Sequence, residues 1–176
     1  MSTFETLLAV ARNKNLPPVN QWQPNRVGDI DIRITVDGRW FHKGSEIKRQ
    51  RLVVLFATIL RLDEDGHYLV TPEEKLRIQV EDAPFLATNV LADGHGTSMC
   101  LLFTTNVNDQ ILADADHAIE INERNGFPRP YLEVRAGLKA LITRNVFYQL
   151  VELGYPDEDE MSVWSAGTKF VLGPVR

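Results

Sequence analysis

Displaced by 93 residues against itself, the chain brings Gly44 onto Gly137 and Arg51 onto Arg144, with Phe41 on Val134, Val53 on Val146 and Val54 on Phe147. Trp40 falls on Glu133 and Phe56 on Gln149, so the likeness is weak, but it keeps its order. With one residue inserted before the acidic turn, Asp63-Glu64-Asp65 meets Asp157-Glu158-Asp159 and Leu69-Val70-Thr71 meets Val163-Trp164-Ser165. Lys75-Leu76 then meets Lys169-Phe170. The period is too long and the copies too few for a solenoid. The expectation is a duplicated small domain with a strand, helix, acidic turn and hairpin in each copy, the copies packing together around a ligand cleft. The alternative is two unrelated α+β halves that share strand and turn chemistry by coincidence.

Local patterns fill in the copies. Phe4, Leu7, Leu8 and Ala11 follow Ser2 and Thr3 at the spacing of a short amphipathic helix. Pro17, Pro18 and Pro24 then predict an extended connector anchored by Val19 and Trp22. Ile30, Ile32, Ile34 and Val36 alternate with Asp29, Asp31, Arg33 and Thr35, as in a half-buried strand. Asp37-Gly38 reads as a hairpin turn into a return strand over residues 39–43, and Gly44-Ser45 as the cap of a helix over residues 46–62. After the acidic turn come strands at residues 67–70 and 76–80, and Pro84 closes the first half. The second half shows an apolar run at residues 85–92 and a Gly-rich turn at residues 93–96. Strands at residues 98–105, 119–122 and 131–135 follow, the last two separated by Asn125-Gly126 and two prolines.

Composition narrows the function classes. In 176 residues, hydrophobic side chains make up 44% and charged ones 24%, enough apolar material for a packed core. The net charge of -5 argues against binding extended nucleic acid, which requires a basic face. The longest apolar stretch, residues 52–62, contains Thr58 and Arg61 and is too short for a membrane span. Residues 1–10 lack the pattern of a secretory signal. Cys100 is the only cysteine, and with no disulfide to protect, a cytoplasmic setting is expected.

No catalytic set stands out. Gly96-Thr97-Ser98-Met99-Cys100 lacks the second glycine of a nucleophile elbow, so Asp93 to Ser98 reads as a turn. Asp114, Asp116 and His117 match no metal spacing and read as a polar loop, and Cys100 as a buried, inert thiol. Cofactor signatures are absent. Lys48, Arg49, Arg51 and Arg144 are candidates to meet a phosphate or carboxylate at the two helix starts, against a solvated helix face. Glu74, Lys75, Glu81 and Asp82 gather opposite charges around one hairpin, where they either hold a ligand's polar groups or pair with Arg33 and Arg135. Trp164, beside Ser165 and Gly167, is either a seat for a planar group or part of the core.

The stretches Gly28-Asp29-Ile30-Asp31-Ile32-Arg33-Ile34, Asp37-Gly38-Arg39-Trp40, Leu69 to Lys75 and Val80 to Phe85 resemble the bacterial family called domain of unknown function 1285. So do Thr105 to Asp109, Pro130 to Arg135 and Val163 to Gly167, and the resemblance runs from about Pro17 to Gly173. It implies an α+β fold with a duplicated core, a pleckstrin-homology-like C-terminal half and a nucleotide-like ligand between the halves.

The expected fold class is therefore α+β, with residues 1–25 as an N-terminal helix and extended connector, 26–85 as the first repeat and 86–176 as the second. The expected function is a small-ligand-binding regulatory or signalling protein, with Arg51, Glu74, Lys75, Asp82, Arg135, Arg144 and Trp164 around a nucleotide-like ligand. The rivals are a hydrolase using Asp82 or Asp109 as general base, and a protein-interaction domain.

Overall fold

The computed structural model describes residues 2–175. It is mostly β, with three helices, two six-stranded mixed sheets and a three-stranded antiparallel sheet. The chain divides into two compact units. One comprises Asn15–Pro84 and Ala136–Leu138, and the other comprises Met1–Lys14, Phe85–Arg135 and Lys139–Arg176. No helix among the described residues is long and apolar enough to cross a membrane.

The first unit begins with the proline-bound connector, anchored through buried Val19. Its six strands are β1 (Arg26–Ile34), β2 (Trp40–His42), β3 (Ser45–Glu46), β4 (Leu60–Asp63), β5 (Gly66–Val70) and β6 (Glu74–Val80), with helix α2 (Gln50–Thr58) between β3 and β4. Ile32 and Ile34 of β1 are buried while Asp29, Asp31 and Arg33 face solvent, as the alternation requires. The sheet order is β3-β2-β1-β6-β5-β4. Its single parallel pair joins the first and last strands, from Arg26 opposite Glu74 to Ile34 opposite Val80. Trp40, Val53, Ala57, Leu60 and Val70 fill the core, with Trp40 stacked on Phe56 at 6.2 Å.

Three local expectations need correction here. The helix is Gln50–Thr58, shorter than residues 46–62, because Ser45 and Glu46 pair with β2 and Leu60 and Leu62 pair with β5. The apolar run thus crosses an element boundary, and Ser45 lies in β3 while Arg49 takes the N-cap without a side-chain bond. Lys48 accordingly precedes the helix. The Asp37-Gly38 turn is longer than two residues: Thr35 donates to and accepts around Val36-Asp37-Gly38, and Val36 is 43% exposed instead of inward-facing.

The second unit contains helix α1 (Thr3–Arg12), six strands β7 (Phe85–Asp93), β8 (Cys100–Thr105), β9 (Gln110–Leu112), β10 (Ile119–Arg124), β11 (Phe127–Arg135) and β12 (Leu138–Ile142), then helix α3 (Arg144–Leu153) and a last sheet of β13 (Tyr155–Asp157), β14 (Glu160–Ser165) and β15 (Thr168–Pro174). Helix α1 is opened by a reciprocal cap, in which the Ser2 hydroxyl accepts from the Glu5 amide and the Glu5 carboxylate accepts from the Ser2 amide. It packs on β7, β8 and β9. The larger sheet runs β10-β11-β12-β7-β8-β9, with β12 parallel to β7. Buried Ser165 ties the small sheet to it: its hydroxyl accepts from the Leu101 amide at 2.8 Å and donates to the Ala113 carbonyl at 2.6 Å.

Pro128 and Pro130 lie within β11 and do not separate it from β10; two residues apart, their missing N–H groups fall on one side of the strand. Cys100 is half-buried at the start of β8, not fully buried. Asp114 accepts from the Asp116 and His117 amides, forming the expected polar turn.

The order of three strands, a helix and three strands occurs in both units, as β1-β2-β3-α2-β4-β5-β6 and β10-β11-β12-α3-β13-β14-β15. The β2–β3 turn, Lys43-Gly44, has φ of 50° and 78°, and the β11–β12 turn, Ala136-Gly137, has 46° and 81°. Two consecutive left-handed residues match the twist of a tight hairpin, which is why glycine takes the second place in each.

Candidate functional site

The residues singled out from sequence are distributed over the two units. Arg51, Glu74, Lys75 and Asp82 belong to the first; Arg135, Arg144 and Trp164 belong to the second. Arg51 and Arg144 sit in the opening turns of α2 and α3, exposed, and neither side chain bonds a described residue. Glu74 pairs with Arg26 across the parallel strands at 3.3 Å. Lys75 donates to Asp63 at 2.7 Å and lies 4.3 Å from the centre of the Tyr68 ring. Asp63 also accepts twice from Arg61, and these bonds hold its carboxyl below the usual carboxylate range. Arg61 donates further to the Val19 and Trp22 carbonyls, so this network fastens the connector to β4. Asp82 is half-buried in the turn after β6. Trp164 is half-buried on β14, opposite Lys169 of β15.

The second unit brings together a set that no local pattern announces. Asp109, 3% exposed, ends the turn between β8 and β9. Thr105 builds that turn: its hydroxyl accepts from the Asp109 amide at 3.1 Å, and its own amide donates to the Asp109 carbonyl at 2.9 Å. One oxygen of the Asp109 carboxylate is held by the Lys14 ammonium, just beyond α1. The other accepts from Arg135 Nη1, at the end of β11, at 3.0 Å. The Arg135 guanidinium also lies over the buried Phe85 ring at 5.2 Å.

One carboxylate thus faces two cations at a largely buried site. Burial, and after it the charge of Arg135, lower the Lys14 ammonium to about 8. Burial lowers Arg135 to about 10. Lys14 keeps 33% of its side chain exposed, so it remains open to solvent. Asp109 was a sequence candidate as a base and Arg135 as a ligand contact, whereas Lys14 was missed.

Residues 17–83 match the family model described as domain of unknown function (DUF1285), N-terminal domain. Residues 84–172 match that described as protein of unknown function (DUF1285), C-terminal domain. The chain is similar to the crystal structure of a DUF1285 family protein from Silicibacter pomeroyi DSS-3, at 45% identity over 96% of this chain and 95% of that one, with a TM-score of 0.88. It is also similar to a DUF1285 family protein from Shewanella baltica OS155, at 28% identity over 69% of this chain and 90% of that one, with a TM-score of 0.55. No curated protein matches the chain.

Proposed function

This chain belongs to the DUF1285 family, and from that premise we propose that it is a small-ligand-binding regulatory protein of the cytoplasm whose ligand carries a phosphate or carboxylate, as a nucleotide-like molecule does. The observation that carries the reading is the pairing of buried Asp109 with both Lys14 and Arg135, which gathers an ammonium and a guanidinium beside one carboxylate. Arg135 presents a bidentate fork suited to an oxyanion and Lys14 a mobile point charge. The recurrent strand and helix order supports a duplicated α+β origin for the two units, and the antiparallel strands that precede α3 are the support for a pleckstrin-homology-like reading of the C-terminal half.

The rival hydrolase reading needs Asp82 or Asp109 as a base. Both oxygens of Asp109 are engaged by cations, which favours binding over proton abstraction. A thermal-shift screen with adenosine monophosphate, pyrophosphate, inorganic phosphate and citrate tests the proposal, since a ligand of the folded state must raise Tm. A stabilising compound is expected whose effect is lost in Lys14→Gln and kept in Lys14→Arg. No shift from any anion, or an undiminished shift in Lys14→Gln, rejects the site. Arg51→Ala and Arg144→Ala in the same assay show whether the ligand extends to either helix start.

A further inference from the structure

The two units close their first and last strands differently. In the first, β1 and β6 pair directly in one sheet, Arg26–Asp29 against Glu74–Arg77 and Arg33–Ile34 against Gln79–Val80, with a register shift between the two stretches. In the second, the corresponding β10 and β15 come within 8 Å between Cα atoms, yet β10 ends the six-stranded sheet and β15 ends the three-stranded one. Each therefore keeps an edge without a strand partner among the described residues. Where they part, a cleft of about 580 Å³ opens, lined by Ile121 and Glu123 of β10, by Leu172 of β15 and Val175 just beyond it, and by Phe147 and Val151 of α3. Phe127, at the tip of the β10–β11 hairpin, also lines it and is 71% exposed.

We propose that this cleft takes an extended peptide, which adds as a strand to the free edge of β10 or β15 and presents alternate apolar side chains to α3 and basic side chains to the rim. Strand edges offer main-chain donors and acceptors at the spacing of an incoming strand, and an apolar floor receives every second side chain. The rim specifies the charge. Glu123 lies in the wall, and the acidic turn Glu158-Asp159-Glu160 adjoins the end of β15, where the Val175 amide donates to the Asp159 carbonyl at 2.9 Å. Glu123, Glu158, Asp159 and Glu160 are exposed; Lys169 pairs with Asp157 and also feels the charge of Glu160, and with Asp157 the five carboxylates outnumber Lys169, Arg124 and Arg129. A lysine-bearing strand fits this rim and an acidic one is repelled. Nothing in this cleft would hold a phosphate, so the site is separate from the Lys14 and Arg135 pair.

The test is fluorescence anisotropy of the full chain with a labelled octapeptide of alternating valine and lysine, together with two controls. One control alternates valine with aspartate; the other carries N-methyl groups on alternate residues, which remove the donors of one peptide edge while keeping side chains and charge. Saturable binding of the valine–lysine peptide is expected, weakened at least tenfold by N-methylation, by Phe127→Asp and by Glu123→Lys. Both substitutions are at exposed positions, and an unchanged Tm confirms folding. No binding, equal binding of the aspartate or N-methylated peptide, or full affinity in both variants overturns the proposal. So does self-association in sedimentation that Phe127→Asp abolishes without any peptide effect, since a second copy would then be the occupant.

Discussion

Asp109 holds two cations in a nearly dry setting, so its removal takes from both the carboxylate they share. Asp109→Asn is expected to destabilise the chain by about 3–5 kcal/mol, measured by urea unfolding. Lys14 has the opposite electrostatic character: folded, it loses its proton near 8, and unfolded at the ordinary 10.5. Between those values the unfolded chain holds more protons, so the contribution of Lys14 to stability is least below pH 8 and grows as pH rises from 8 to 10.5. Lys14→Met should flatten that rise in a comparison of unfolding free energies from pH 7.5 to 10, and an unchanged slope would contradict the assignment. Anion binding runs the other way, weakening as pH climbs through about 8 and the ammonium is lost; titration calorimetry across that range checks it. None of this was legible before folding, because Lys14 and Asp109 stand 95 residues apart and only the turn geometry set by Thr105 aims the carboxylate.

At the level of elements, the alternation of Ile30, Ile32 and Ile34 revealed β1 because a sheet face with period two leaves that imprint on composition. The end of α2 left none. Leucines at positions 60 and 62 suit a helix face as well as a strand face, and pairing with β5 decides between them. Two joints between elements can be tested directly. Gly154, the C-cap of α3, has no room for a methyl group: a Cβ there would lie 2.8 Å from the Ser162 carbonyl oxygen and 3.1 Å from Met161 Sδ. Gly154→Ala should cost about 1–3 kcal/mol by thermal or urea unfolding, from crowding alone, since its φ of -76° suits any residue. Ser165→Ala strands the Leu101 amide in a buried setting and should cost about 1–3 kcal/mol as well. A neutral result would mean that the small sheet is fastened by its apolar contacts without help from the hydroxyl.

For the whole molecule, the decisive feature is that the residues up to Lys14 belong with Phe85–Arg135 and the chain from Lys139 onward, and not with the strands that follow them in sequence. Composition and periodicity identify α1 as a helix that needs a partner, but they carry no record of which partner. Deleting residues 1–14 should therefore expose backbone amides in β7, β8 and β9 to hydrogen exchange while β5 and β6 keep their protection; the reverse pattern would assign α1 to the wrong unit. The same feature imposes a schedule on synthesis. Strands β1 to β6 are complete once Val80 has emerged, but the surface on which α1, made first, docks is not complete until β9 follows β7 and β8. At about 5–20 residues per second, Lys14 waits roughly 5–20 s for Asp109. During that interval the apolar face of α1 is uncovered on a nascent chain, open to whatever chaperone tends the ribosome exit.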